Sequence, residues 1–227
     1  MSYVITAPTP PSVEVRGTRD RFPVRRIFCV GRNYAAHARE MGNDDREPPF
    51  FFTKPADAVV ANDVAVPYAP RTSNFHHEAE LVVAIGSGGA NIPVAKANSH
   101  VYGYAVGIDL TRRDLQTEAR DGGKPWDTSK AFDRSAPIGA IRPVSAGGII
   151  ESARIWLSVN GKMKQDANVA DMTWKVPEII AELSTFFELA AGDLIYTGTP
   201  AGVGPVVRGD VIEAGIEGLD TLRTTIV

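Results

Sequence analysis

The 227-residue sequence has a single cysteine, Cys29, which excludes an internal disulfide and a thiolate metal cluster. It has no Lys/Arg block and no cationic excess. With 24 basic and 27 acidic side chains its formal charge is −3, so nothing marks a nucleic-acid footprint. Apolar runs are short: residues 81–85 form one of the longest, far below the roughly 20 residues that cross a bilayer. Residues 1–22 have neither the apolar centre of a secretory signal nor an amphipathic Arg/Ser-rich transit pattern. A soluble cytoplasmic protein that binds neither nucleic acid nor membrane is the expectation. Two catalytic signatures are also missing. His77-Glu78 lacks the second histidine of a zincin, and no Gly-x-Ser-x-Gly elbow occurs, which argues against zinc and serine hydrolysis. The glycine-rich stretch 197–205 lacks the Gly-Lys-Ser/Thr ending of a nucleotide loop. A turn presenting backbone N–H groups and threonine hydroxyls to a carboxylate fits it better.

What is present describes a folded chain. Hydrophobic residues make up 44% of the sequence, and one core of this length can bury about 70% of the unfolded surface. Residues 1–23 carry Pro8, Pro10, Pro11 and Pro23 and read as an extended amino-terminal arm with a short strand near Val13. Residues 26–30 form a short apolar strand that stops at Gly31. Asn33 is a fitting N-cap and Gly42 a fitting stop for a helix of about two turns between them. Beyond Pro48-Pro49 the texture is mostly strand, with β-branched and aromatic runs bounded by Gly, Pro, Asn or Asp. Asn160-Gly161 marks a hairpin. Residues 176–189 form the one long amphipathic helix, with Ile179, Ile180, Leu183, Phe186 and Phe187 on one face. The reading is one mainly β domain with a few helices (α+β) over residues 24–227.

The stretch His76-His-Glu-Ala-Glu-Leu-Val-Val83 carries the most chemistry. Side chains alternate along a strand, so Glu78 and Glu80 share a face with α-carbons roughly 6.5 Å apart. Ala79, Leu81, Val83 and Ile85 take the opposite, core-facing side. Paired carboxylates on one face repel, and either a solvated strand face or a hard divalent cation relieves them. Asp109 tips the balance toward the cation, because it is the only charge in the apolar stretch 102–110 and sits near its end. Three carboxylates with other positions left to water or substrate describe a Mg²⁺ or Mn²⁺ site.

His37 and Glu40 lie three apart on the short helix and share a face. They suit a base-and-orienter dyad that activates water, though a surface ion pair accounts for them with less. Lys54 and Lys130 each adjoin aromatic residues, and isolated lysines are usually solvated. Cys29, Trp126, Trp156 and Trp174 read as core or interface residues.

In combination these segments resemble the fumarylacetoacetate hydrolase family, in its short single-domain acylpyruvate hydrolase branch. The matching motifs are Gly31-Arg-Asn-Tyr with His37 and Glu40, Phe52-Thr-Lys-Pro55, His77-Glu-Ala-Glu-Leu81, Asp109-Leu-Thr-Arg-Arg-Asp-Leu-Gln116, Ser129-Lys-Ala-Phe-Asp133, Val159-Asn-Gly161 and the stretch 192–204. Ala191 and Asp220 depart from the pattern, outside the metal motifs. The separate amino-terminal domain of the longer fumarylacetoacetases is expected to be missing. The resemblance implies a β-sandwich roll, a homodimer and a Mg²⁺ or Mn²⁺ cofactor. It implies Glu78, Glu80 and Asp109 as metal ligands and His37 with Glu40 as the water-activating dyad. Lys130 and Gln116 would stabilise the oxyanion, and Arg113, Thr199 and Lys54 would line the substrate. The implied activity is hydrolysis of a carbon–carbon bond in a small 2,4-dioxo acid, with fumarylpyruvate from aromatic-compound catabolism favoured. A decarboxylase or isomerase of an oxo-diacid is the alternative within the family. A non-catalytic metal- or ligand-binding β-domain is the alternative from another class.

Overall fold

The computed structural model describes residues 3–34 and 47–227. Most of the short helix expected between Asn33 and Gly42 lies outside the described residues. In chain order the first strands are β1 (Ser12–Glu14), β2 (Arg21–Pro23), β3 (Arg26–Gly31), β4 (Phe50–Lys54), β5 (Val59–Val60), β6 (Phe75–His77), β7 (Ala79–Ile85), β8 (Val101–Ile108) and β9 (Thr111–Arg112). They continue as β10 (Ala136–Pro137), β11 (Arg142–Pro143), β12 (Arg154–Val159), β13 (Lys162–Asn168), β14 (Asp193–Tyr196), β15 (Gly204–Pro205), β16 (Val211–Ile216) and β17 (Leu222–Thr225). The described α-helices are α1 (Val94–Ala97), α2 (Arg113–Asp121), α3 (Asp127–Lys130), α4 (Val144–Gly147) and α5 (Val176–Phe186). The fold is mainly β, as the strand-rich texture predicts.

Six strands form the central sheet in the order β11-β8-β7-β14-β3-β4. Pairs are antiparallel except β3 with β14, which run parallel in register Arg26↔Asp193 to Cys29↔Tyr196. A second sheet, β13-β12-β16-β17, is antiparallel throughout. The strand period sorts β7 cleanly. Ala79, Leu81, Val83 and Ile85 join Ile155, Leu157, Ile212 and Leu222 of the second sheet and Ile179, Ile180 and Leu183 of α5 in one core. Val82 and Ala84 face the other way, into a second core with Ile27, Cys29, Leu194 and Tyr196. Val13, Val15 and Phe22 belong to this second core, because the arm folds back as the antiparallel ribbon β1–β2. Burial pushes the Cys29 thiol pKa up, as suits a packed core residue.

Two local readings meet different outcomes. Asn160 and Gly161 take φ of 51° and 73°, the left-handed pair that a two-residue turn between β12 and β13 needs. Helix α5 ends earlier than its apolar pattern suggests. Phe187 is already extended, with φ −138°, and stacks on Phe28 at 5.0 Å, while Phe186 is 62% exposed. No described helix is long and apolar enough to cross a membrane.

Candidate active site

Every residue of β7 is buried, so the face bearing Glu80 meets protein rather than bulk solvent. Glu78 and Glu80 are 6% and 2% exposed, which removes the solvated-face reading of the pair. Strand β8 lies beside β7 with Ile108 opposite Ala79, and Asp109 donates its backbone N–H to Glu78 O at 2.8 Å. That register brings the third acid to the other two. One carboxylate oxygen from each of Glu78, Glu80 and Asp109 lies within 4.8 Å of the others.

Three buried carboxylates demand compensation, and the chain supplies part of it. Lys130, at the end of α3, donates to Glu78 Oε2 at 2.8 Å, Asp109 Oδ2 at 2.6 Å and Thr111 Oγ1 at 2.6 Å. These bonds engage all three protons of its ammonium group. Lys54 Nζ stands 2.8 Å from Asp109 Oδ1 and donates to the carbonyls of Leu110 and Lys130. Arg113 pairs with Glu78 through Nη2. Burial opposes ionisation of Glu78, but Lys130 and Arg113 prevail and hold its pKa well below the usual range. Burial also opposes the charge on Lys130, and Asp109 and Glu78 more than restore it. Glu80 is different. Burial, then Asp109 and Glu78, drive its pKa well upward, and among the described residues only the Gly198 N–H, at 2.8 Å from Oε2, bonds to it directly. Asp109 Oδ1 accepts no well-formed hydrogen bond from the described residues despite its neighbour Lys54. An all-oxygen donor set with one undercoordinated oxygen and one carboxyl resisting charge fits a hard divalent cation.

The triad forms one wall of a cavity of about 270 Å³. Helix α2 supplies another wall through Arg113, Gln116, Thr117 and Arg120. Those positions follow the i, i+3, i+4, i+7 spacing of one helix face. Gln116 Oε1 accepts from Arg113 Nη1, which leaves its amide N–H groups for other acceptors. Burial and then Arg113 lower the pKa of His76 to about 4, so the ring is neutral near pH 7. It sits 2.8 Å from Asn74 Oδ1 through Nε2 and accepts from Arg113 Nε at 3.4 Å. Phe52 and Trp126 add apolar surface, with ring centroids 5.7 Å apart.

Of the residues expected from the sequence, Glu78, Glu80, Asp109, Arg113, Gln116, Lys130 and Thr199 gather around this cavity. Lys54 is buried behind them, engaged with Asp109 and two carbonyls rather than lining the cavity. His37 and Glu40 lie outside the described residues. Arg32, His76, Arg120 and Trp126 line the cavity without having been anticipated. The polar stripe along α2 was a signal for Arg120. Arg32 carries no such pattern, only a left-handed φ of 56° visible in the fold.

Residues 26–227 match the family described as fumarylacetoacetate (FAA) hydrolase C-terminal. A fumarylpyruvate hydrolase of Ralstonia sp is 48% identical over 180 residues, covering 79% of this chain and 93% of that protein. A mitochondrial oxaloacetate tautomerase of Mus musculus is 41% identical over 199 residues, covering 88% of this chain and 90% of that protein. The crystal structure of fumarylpyruvate hydrolase from Pseudomonas aeruginosa, in complex with Mn²⁺ and pyruvate, superposes with a TM-score of 0.97 at 51% identity. It covers 100% of this chain and 99% of that one. With nearly its whole length and its fold matched in this way, the chain belongs to the fumarylacetoacetate hydrolase family.

Proposed function

We propose that this protein is a divalent-metal-dependent hydrolase that cleaves a carbon–carbon bond in acylpyruvates, with fumarylpyruvate as preferred substrate and fumarate and pyruvate as products. The observation that carries the reading is the pairing, in one cavity, of the Glu78–Glu80–Asp109 triad with the cationic residues Arg32, Arg113, Arg120 and Lys130. Such a site suits an anion with carboxylates at both ends and a chelating oxo group between them. The Ralstonia and Pseudomonas relatives support the same choice. A homodimer and a place in aromatic-compound catabolism belong to the same proposal.

Glu78, Glu80 and Asp109 would hold a Mn²⁺ or Mg²⁺ ion, which when bound would supply Lewis-acid stabilisation of negative charge on an oxo acid. Arg113 and Thr199 bind the pyruvoyl carboxylate. His37, held by Glu40, takes a proton from water as the water oxygen bonds to the distal carbonyl carbon. The free N–H of Gln116 stabilises the oxyanion that forms there. When that oxyanion collapses, the bond to the methylene carbon breaks, its electron pair stays on the pyruvate fragment, and His37 returns the proton to that carbon. Lys130, with its protons engaged, acts through its fixed charge beside Glu78 and Asp109.

Steady-state turnover of fumarylpyruvate, acetylpyruvate, fumarylacetoacetate and oxaloacetate tests the reading. Fumarylpyruvate is expected to give the highest kcat/KM, EDTA to remove activity, and Mn²⁺ or Mg²⁺ to restore it. His37→Ala should lower kcat by about 10²–10⁴-fold while Mn²⁺ binding persists. Faster turnover of oxaloacetate than of any acylpyruvate would move the protein to the tautomerase side of the family. Mn²⁺ binding without any turnover would make it a binding domain.

A further inference from the structure

Strand β13 is an edge strand, and Lys162, Met163, Lys164 and Asp166 on it are exposed. Gln165, in their midst, is 0% exposed. A neutral amide in that position is tolerated only if its hydrogen bonds are made. Gln165 Oε1 accepts from the Ala79 backbone N–H at 2.9 Å. Its Nε2 donates to Pro200 O at 2.9 Å and to Thr199 Oγ1 at 2.8 Å. A backbone N–H can only donate and a carbonyl can only accept, so these two partners fix which end of the amide is oxygen and which is nitrogen. Thr199 Oγ1 must therefore accept from Gln165. Its own proton has no acceptor among the described residues, and Thr199 lines the same cavity as Arg113. The contact is built closely. Gly202, at φ 96°, brings the Thr199 loop so near β13 that a Cβ there would fall 2.1 Å from Lys164 O.

We propose that Gln165 is a positioning residue that sets the Thr199 hydroxyl as a one-way hydrogen-bond donor to the substrate carboxylate. Through Ala79, the same amide ties this donor to the strand between Glu78 and Glu80, so ligand donor and metal ligands share one reference point. The inference deepens the acylpyruvate reading and rests on it for the ligand, a 2-oxo carboxylate.

The test uses Mn²⁺-loaded wild type, Gln165→Glu, Thr199→Val and the double variant. Pyruvate binding is measured by calorimetry, KM and kcat on fumarylpyruvate, and Tm alongside. Gln165→Glu keeps the shape and the bond from Ala79 but puts an oxygen where the donor stood, drawing the Thr199 proton away from the ligand. Each single variant is expected to weaken pyruvate binding and raise KM by about ten- to a hundred-fold, the scale of a hydrogen bond to a charged group, with kcat changed less than about three-fold. The double variant should be no worse than the weaker-binding single variant. Additive losses, or unchanged pyruvate affinity in Gln165→Glu, would overturn the proposal. Should Gln165→Glu fail to fold, Gln165→Met decides, because it fills the space without an amide donor for Thr199 Oγ1 and is expected to weaken pyruvate binding and raise KM by about ten-fold; wild-type pyruvate affinity in that variant overturns the proposal. Wild type that binds pyruvate but hydrolyses no acylpyruvate removes the functional reading and leaves the binding arm to judge Gln165. Wild type that binds no pyruvate overturns both.

Discussion

Glu80 shows how one residue depends on a backbone conformation far away in sequence. Its direct hydrogen-bond partner is the N–H of Gly198, a residue at φ 95° whose added Cβ would lie 2.7 Å from Asn33 Cβ. An L side chain there meets both a disfavoured dihedral and a backbone-anchored neighbour. Gly198→Ala is therefore expected to lower stability by about 1–3 kcal/mol. It should also weaken Mn²⁺ binding about ten-fold as the amide moves from Oε2, a loss equivalent to one ordinary charge-assisted hydrogen bond. Denaturant unfolding and a Mn²⁺ titration measure the two effects, and intact Mn²⁺ affinity would show that Glu80 does not need this amide. At this scale the acids were legible, because strand alternation places Glu78 and Glu80 on one face without any knowledge of the fold. The side chains that surround them were not legible from spacing, and Lys130 was named only through the resemblance. Lys130 reaches Asp109 across 21 residues of chain, Gln165 reaches Ala79 across 86, and neither side chain differs in sequence from a solvated one.

Elements are held at their ends by pairs of this long-range kind. Asp193 opens β14 with its side chain fully buried, accepting from Arg25 at 3.1 Å, from Arg26 at 3.0 Å and from the Ala190 N–H at 2.9 Å. It thereby fastens the parallel pair β3–β14 at one end of the central sheet. Asp193→Ala leaves two arginines without their acid. Both are partly exposed and can recover hydration, so the cost should fall at the low end for a broken buried pair, about 3 kcal/mol. A chemical-denaturation midpoint that barely moves would show the clamp to be redundant. Local patterns announced elements well where local chemistry decides them, as at the Asn160-Gly161 turn. They failed where tertiary packing decides. Phe186 and Phe187 continue the apolar face of α5 on paper, yet the helix stops at Phe186, and Phe187 turns out to cover Phe28 of β3.

Across the whole molecule, strand order was not legible, since β3 and β14 pair from opposite ends of the chain and no periodicity records a partner. That order nevertheless creates the site. A central sheet buried on both faces gathers Glu78 and Glu80, around the start of β7, with Asp109, just past β8, in buried positions, so the fold carries an electrostatic load that a bound cation would relieve. Glu80 bears most of it, because burial and its acidic neighbours raise its pKa in the folded state above that in the unfolded chain. A raised carboxylate costs stability above the unfolded pKa, where folding must either bury the charge or take up a proton. Two opposite shifts follow for Glu80→Gln, which keeps an oxygen for the Gly198 N–H. Without metal, the variant should be more stable than wild type. With Mn²⁺ at about a hundred times the wild-type Kd, linkage should stabilise wild type by about 2.7 kcal/mol, or roughly 5–10 °C in Tm for a chain of this size. The variant, lacking the proposed ligand, should gain much less, so the order of the two melting curves is expected to reverse on adding Mn²⁺. Calorimetric scans in EDTA and in Mn²⁺ read this directly, and curves that keep the same order in both conditions would mean that Glu80 is not where the metal relieves the fold.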